Sequence, residues 1–443
     1  MLNTVSLFGP IALFFGLTIL QVPIAFALGI SGIIGLFLTL GFGPTLGMLE
    51  LIPYSIVSSY TLTTIATFVL MAELATVSGI TNKLFDAADC YVRHVKGGLA
   101  IATVYANAVF GAISGSSVAA AATMTAIAAP AMEKAGYNKQ LTAGVIAIAG
   151  TLSILIPPSI VLIVFGIITE TSIRRLLLAG IVPGLLTAIT YVIVVKSWLR
   201  IAPQHAPHML SKSSMKERWR ASRSTWPFLL IVIIVFGALY GGFVTVTEAG
   251  AIGAISAFVV WIVGQRLIPE DFDAPSWQGL AHAFRRTLVT TGMIVILLVG
   301  AQFFSTFLIT TGLARQLSGA LLDLTASRII ILAICLGALL IMGMFMSQLE
   351  ILVLTMPIMF PLLSQLGYDP IWLGIIVTKI IEIGLVSPPV GLNVFIVAGA
   401  SRGSLSSNHG FVGILPFLVG EIGIILLLLF FPELVTYLPE RAA

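Results

Sequence analysis

Two interrupted apolar stretches, repeated at a fixed distance, constrain this chain more than any other feature. The first reads Gly111-Ala-Ile-Ser114-Gly115-Ser116-Ser117, then an apolar run to Pro130, a polar break at Glu133 to Tyr137, and Thr151-Leu-Ser153-Ile-Leu-Ile156-Pro157-Pro158. The second reads Met342 to Phe345-Met346-Ser347, an apolar run to Pro361, a break at Gly367-Tyr368-Asp369, and Gly384-Leu-Val-Ser387-Pro388-Pro389. Pro130 and Pro361, Gly136 and Gly367, Tyr137 and Tyr368, and Pro157 and Pro388 are each 231 positions apart. Each copy therefore breaks an apolar helix twice, at a Ser-containing tip and at a Pro-Pro.

Those breaks sit in a chain that has no water-facing surface to spare. Of its 443 residues 58% are hydrophobic and 9% charged, and the mean hydropathy is +1.10. Soluble domains carry about 25% charged residues, so the composition specifies an all-α, polytopic membrane protein lodged in a lipid bilayer. The net charge of +4 lies mostly in the polar breaks, where Lys and Arg set membrane orientation, and a nucleic-acid partner is excluded. Cys90 and Cys335 have no metal or redox spacing, and His94, His205, His208, His282 and His409 form no ligand pair. No transition-metal site and no cofactor are expected. The N-terminus lacks a basic region and a cleavage site, so the first apolar run reads as a retained span.

In order, runs at 5–22, 24–41, 54–78, 140–168 and 176–195 are long enough to cross a core of about 30 Å. The run at about 99–131 is interrupted midway by Ser114 to Ser117 and reads as a re-entrant hairpin. A basic stretch follows, with Lys196, Arg200, Lys212, Lys216, Arg218, Arg220 and Arg223 against Glu217. By the positive-inside rule it is cytoplasmic. Counting back puts Lys83, Arg93 and Lys96 inside, and the connection at 42–53, with Glu50 and no Lys or Arg, outside together with the N-terminus. Runs at about 226–242, 246–264 and 287–311, a second hairpin at about 328–362, a broken helix at about 370–400 and a span at 411–431 complete the chain. The organisation is a first repeat over 1–195, containing a broken helix at about 140–168, a basic cytoplasmic linker over 196–225, and a second repeat over 226–443. Each repeat has about five crossings plus one hairpin, and an odd number of crossings inverts the second. Thr76 to Leu84 matches Ile309 to Leu317 at an offset of 233. Inverted repeats with broken helices are the architecture of secondary transporters.

The chemistry follows from the breaks. A backbone N–H or C=O unpaired in hydrocarbon costs several kcal/mol, so irregular backbone survives only beside protein or a water-filled cavity. A hairpin tip set against a Pro-Pro break offers carbonyl and hydroxyl oxygens aimed at one point, a ligand set for a hard cation such as sodium, and leaves helix N-termini for an anion. Lys379 and Glu382, at i and i+3 before the second break, are placed to pair with each other, to steer a carboxylate substrate or to tune the ion site. Glu350 follows the second tip and Glu73 lies within the third span; their spacing assigns them no role. No ATP-binding motif is present, and a gradient suffices: one charge moved is worth about 2.3 kcal/mol per 100 mV. An enzyme would need a catalytic dyad and a channel a continuous polar lining, and the sequence has neither.

Nearly the whole chain resembles the large membrane subunit of tripartite ATP-independent periplasmic (TRAP) transporters, a DctM-like pattern. The likeness is carried by Pro23-Ile-Ala-Phe-Ala-Leu-Gly29, Ser114-Gly-Ser116, Pro130 to Tyr137, Ile156-Pro-Pro-Ser159, Thr247-Glu-Ala249, Phe345-Met-Ser347, Gly367-Tyr-Asp-Pro370 and Glu382-Ile-Gly384 to Asn393. The resemblance implies sodium-coupled uptake of an organic acid across the bacterial inner membrane by an elevator mechanism, a transport domain sliding against a scaffold. It implies as partners a small four-helix membrane subunit, here a separate chain, and a periplasmic binding protein that delivers the substrate. Carried over by position, one sodium site uses Ser114, Ser116, Ser153, Ile156 and Pro158, and a second uses Phe345, Ser347, Gly384, Ser387 and Pro389. Ser117, Thr151, Lys379, Glu382 and Asn393 stand as substrate-binding candidates. The family commonly has glycine where the first copy has Ser153, which either adds a hydroxyl ligand or crowds the site. The alternative is a stand-alone ion-coupled carboxylate transporter or exporter.

Overall fold

The computed structural model describes residues 4–206, 212–269, 272–313 and 327–441, together with Gln316 and Gly319. The match of Thr76–Leu84 with Ile309–Leu317 ends outside them, at Ala314, Arg315 and Leu317, as does His208. All regular structure among the described residues is helical. The first half contains α1 (Thr4–Ile19), α2 (Ile24–Leu40), α3 (Phe42–Val57), α4 (Tyr60–Val77), α5 (Ile80–Val92), α6 (Gly98–Ser114), α7 (Ser117–Lys134), α8 (Lys139–Leu155), α9 (Ile160–Thr169) and α10 (Ile173–Ile201). The second contains α11 (Met215–Ser224), α12 (Trp226–Tyr240), α13 (Val246–Leu267), α14 (Trp277–Thr310), α15 (Arg328–Gly343), α16 (Gln348–Gln365), α17 (Pro370–Val386), α18 (Leu392–Ala400), α19 (Ser407–Phe430) and α20 (Glu433–Arg441).

Six of the described helices, α4, α10, α13, α14, α16 and α19, are long and apolar enough to cross a membrane. The pair α8 and α9 qualifies as one span bent by 43°. The stretch at 42–53, read as a connection with Glu50 and no Lys or Arg, lies within helix α3. Gly41, at φ 82°, separates it from α2. The basic linker is also mostly helical. Lys196 and Arg200 belong to the end of α10, and Ser214 caps the start of α11 in a capping box, its hydroxyl and the Glu217 carboxylate each accepting from the other's backbone N–H. Positive charge marks the boundary of the membrane but does not prevent a helix, because Lys and Arg are good helix formers.

The helices sort into two packed groups. In the outer one, α2 lies along α14, and α4 along α13 and α14, with α1 on α2 and α12 on α13. In the inner one, α8 is flanked by α6, α7 and α19, while α15 packs on α17, α16 on α9, and α10 on α19 and α20. The groups touch where α4 meets α6 and α9 and where α14 meets α16. Every residue of α8 from Leu141 to Leu155 is buried, as is every residue of α17 from Ile371 to Val386. A helix buried on all faces has no side to give to water, so these two form the centre of the inner group. Their first turns are capped at positions 231 apart: Asn138 Oδ1 accepts from the Gln140 N–H at 2.8 Å, and Asp369 Oδ1 from the Trp372 N–H at 2.8 Å.

Candidate functional site

The first tip rests on the first break. Helix α6 stops at Ser114, Gly115 takes the left-handed conformation (φ 58°), and Ser116 caps α7 by accepting from the Ala119 N–H at 3.4 Å. On the facing element α8 stops at Leu155, Ile156 turns extended, the Pro157–Pro158 peptide is cis, and Ser159 Oγ restarts the helix by accepting from the Leu162 N–H at 3.2 Å. A β-carbon on Gly115 would lie 2.6 Å from the Pro158 carbonyl oxygen and 3.1 Å from the Ile160 nitrogen. Only glycine lets the two backbones approach this closely while holding a positive φ. One turn earlier, a β-carbon on Gly111 would sit 2.7 Å from Ser153 Cα. Ser114 Oγ and Ser153 Oγ are both buried and have no hydrogen-bond partner in the protein. Pro157 and Pro158 are buried and Ile156 is half-buried.

The second tip is longer and more open. Helix α15 ends at Gly343, and Met344 to Ser347 connect it to α16, whose start is capped by Glu350 Oε2 accepting from the Ser347 N–H at 2.8 Å. Glu350 thereby acquires a structural task. Here two glycines meet: a β-carbon on Gly384 would lie 2.6 Å from Gly343 Cα. Ser387 spends its hydroxyl on the Ile383 carbonyl at 2.6 Å. Phe345 is 61% exposed, and Pro388 and Pro389, again joined by a cis peptide, are exposed too. A cavity of about 310 Å³ adjoins this tip, walled by Pro23, Phe26 and Met293 of the outer group and by Ser347 and Glu350. The tips also approach each other, with Ser117 Oγ 3.5 Å from Gln348 Oε1, two positions separated by the same 231 residues.

All five side chains considered for substrate are buried. Asn393 gives Nδ2 to the Ala147 carbonyl at 3.4 Å and leaves Oδ1 without a partner. Lys379, Glu382 and Thr151 belong to a network closed by two residues that motif reading passed over, Glu421 of α19 and Tyr191 of α10. Lys379 Nζ stands 2.9 Å from Glu382 Oε2 and 2.9 Å from Glu421, Tyr191 donates to Glu421 Oε1, and Thr151 Oγ1 lies 3.0 Å from the Tyr191 hydroxyl. The signal for Glu421 was present, since it is the one ionisable residue in the run 411–431. Glu73 pairs instead with Arg286 of α14 at 3.9 Å, inside the outer group.

Two larger cavities open where the groups face each other. One of about 850 Å³ is polar, with Ser59, Thr64, Glu170, Arg174, Thr245 and Glu248 on its wall. A neighbour of about 760 Å³ shares Ser59 and Glu170 and reaches Gln302, Ser305 and Pro361. Arg174 donates through Nη2 to the Tyr240 carbonyl at 3.1 Å and keeps a buried Nε unpartnered. Among the described residues no group of three or more His, Cys, Asp or Glu side chains could hold a metal ion. The arrangement can thus collect oxygen ligands at two tips and admit a polar solute between two helical bodies.

Known proteins place this architecture. The DctM component of the tripartite ATP-independent periplasmic transporters matches residues 11–434. The C4-dicarboxylate TRAP transporter large permease protein of Pseudomonas aeruginosa is 36% identical over 417 residues, covering 93% of this chain and 92% of the relative. The sialic acid TRAP transporter large permease protein of Vibrio cholerae is 27% identical over 435 residues and 98% of each chain. The solved structure of the Alcanivorax borkumensis YdaH transporter has the same fold, with a TM-score of 0.66 at 17% identity over 96% of this chain and 98% of that one. Its curated relatives are permeases and not enzymes, and the chain itself belongs to the DctM family, the large multi-pass membrane component of TRAP transporters.

Proposed function

We propose that the chain drives sodium-coupled uptake of an organic acid across the bacterial inner membrane, with the inner helical group moving as the transport domain of an elevator against the outer group. The observation that carries this reading is the seating of Gly115 on the Pro158 carbonyl, with Ser114 Oγ and Ser153 Oγ buried and unpartnered beside it. Buried hydroxyls without partners are uncommon, and a hard cation takes such oxygens as ligands. Ser114, Ser116, Ser153, Ile156 and Pro158 then hold one sodium ion, and Phe345, Ser347, Gly384, Ser387 and Pro389 a second. Sodium is cargo here, moving down its gradient with the substrate.

The two halves are read as inverted repeats, with the N-terminus periplasmic. That orientation places the start of α10 and the 850 Å³ cavity, with Arg174 on its wall beside Glu170 and Glu248, on the periplasmic side. The relatives' substrates, C4-dicarboxylates and sialic acid, support a carboxylate class. Ser117 at the first tip and Asn393 beyond the second break are the polar groups we assign to the substrate. A small membrane subunit and a periplasmic binding protein complete the system.

The experiment is uptake into liposomes holding the large and small subunits, with a C4-dicarboxylate or sialic acid offered on its matching binding protein. Uptake that needs both an inward sodium gradient and the binding protein is expected. Equal uptake after sodium is replaced by potassium removes sodium coupling, and equal uptake without the binding protein favours a stand-alone carboxylate transporter.

A further inference from the structure

We infer that the outward face of α11 is a binding surface for the anionic phospholipid headgroups of the leaflet beside it. In its ten residues α11 carries Lys216, Arg218, Arg220 and Arg223 against a single acid, Glu217. At about 100° per residue, Met215, Trp219, Arg223, Lys216 and Arg220 follow one another around a single arc of about 140°. All five are exposed, Met215 to 79% and Trp219 to 74%. Glu217 lies off that arc, and its carboxylate accepts from the Ser214 N–H at 2.7 Å. The opposite side of the helix is occupied by α5. Ser222 is hydrogen-bonded to the Tyr91 hydroxyl, the Arg218 guanidinium lies 5.7 Å from the centre of the Tyr91 ring, and Ser213 donates to the Cys90 carbonyl at 2.7 Å. What α11 turns away from the protein is therefore a basic stripe edged by two apolar side chains.

The position of α12 fixes what that stripe meets. One residue, Thr225, separates the two helices, and their axes are bent by 47°. The 15 residues of α12 span about 22 Å at about 1.5 Å each, less than a hydrocarbon core of about 30 Å, so both ends of α12 lie close to the headgroups. Leu229, Leu230 and Ile233, in its first turns, are exposed and apolar, as a side turned to lipid requires. Helix α11 is thus held at the depth of the phosphates. Interfacial helices combine Lys and Arg for the phosphates with Trp and other apolar side chains for the acyl boundary. An anionic leaflet satisfies the three cations and also covers Trp219 and Met215, whereas water satisfies only the cations. The inference goes beyond uptake and needs only that α12 crosses the bilayer. Through α5 the same contact reaches α6, the first arm of the hairpin.

Fluorescence of the whole protein in nanodiscs tests the surface without reading transport. Subtracting the spectrum of Trp219→Phe isolates Trp219. Its emission should be blue-shifted in phosphatidylglycerol relative to phosphatidylcholine. Quenching by neutral acrylamide should be about twofold or more weaker there, since each cation near an anionic surface is worth roughly a fivefold preference. Combining Lys216→Gln with Arg223→Gln should return both readings to their phosphatidylcholine values, and so should about 1 M salt, where the Debye length is about 3 Å. Both side chains are exposed, so the fold is retained. Lys134→Gln with Lys139→Gln, exposed cations outside α11, should leave the response intact. Identical emission and quenching in the two lipids overturns the proposal and leaves the face to water or to a soluble partner. A response that survives the Lys216 and Arg223 substitutions overturns it too, because Trp219 then senses the bilayer without the charges.

Discussion

The two tip-and-break pockets are built from matching sequence, yet one is shut and the other open. In the first, a two-residue tip turns on Gly115, sits on buried Pro158, and a serine on α8 fills the space left by Gly111. In the second, a four-residue tip carries exposed Phe345, both prolines are exposed, and two glycines bring α15 and α17 into backbone contact. The difference teaches that a shared motif sets where helices break, while the length of the tip and the cover over the prolines set how open the pocket is. Ser153 and Gly384, which correspond in sequence, are the pivots against which Gly111 and Gly343 rest.

The comparison breaks most severely at the tips. Gly115→Val should reduce uptake to background, because its β-carbon would meet backbone atoms at 2.6 Å and the left-handed conformation resists a branched residue. Met346→Ala, at the corresponding position of the second tip, should retain most uptake. Transport in liposomes compares them, and equal loss in both would dissolve the distinction between a seated and an open tip.

Next in size is the exchange of the pivots. Gly384→Ser would push a β-carbon to 2.6 Å from Gly343 Cα, where only backbone can give way, and should lower uptake about tenfold or more. Ser153→Gly removes side-chain atoms and adds none, so it should keep the protein folded. It should raise the sodium concentration for half-maximal uptake several-fold. If sodium dependence is unchanged, Ser153 contributes no hydroxyl ligand.

A smaller contrast separates the caps. Ser116→Ala removes both an N-cap, at about 1 kcal/mol, and a proposed ligand, and should raise the sodium requirement. Ser347→Ala leaves the Glu350 cap on the backbone N–H intact, so its sodium requirement should rise with little loss of thermal stability. Unchanged sodium dependence in both would leave only backbone ligation at the tips. The least effect is expected from Glu350→Gln, which preserves an acceptor for the Ser347 N–H and loses only the charge near a helix N-terminus, worth about 0.3–1 kcal/mol. Uptake within twofold of wild type fits a cap; a larger loss would give Glu350 a part in transport.

Reading these elements from the chain succeeded where the signal was a break in an apolar run. Ser114 to Ser117 and Pro157-Pro158 interrupt helices wherever the rest of the chain lies, since a cap hydroxyl and a missing N–H act locally. Helix α3 escaped because Pro53 has the look of a helix end, yet the helix runs through it to Val57. Glu421 and Tyr191 escaped because a motif search has no spacing for partners 42 and 230 positions away.

By itself, then, the sequence determined the membrane class, the all-helical content, and the positions where helices must stop, because hydropathy, proline and capping residues act within a few turns of where they stand. Only the tertiary structure decided which break faces which tip, that one pocket is closed and the other open, and that Lys379 answers to two acids. Those facts depend on distances between residues far apart in the chain, and no local preference encodes a distance.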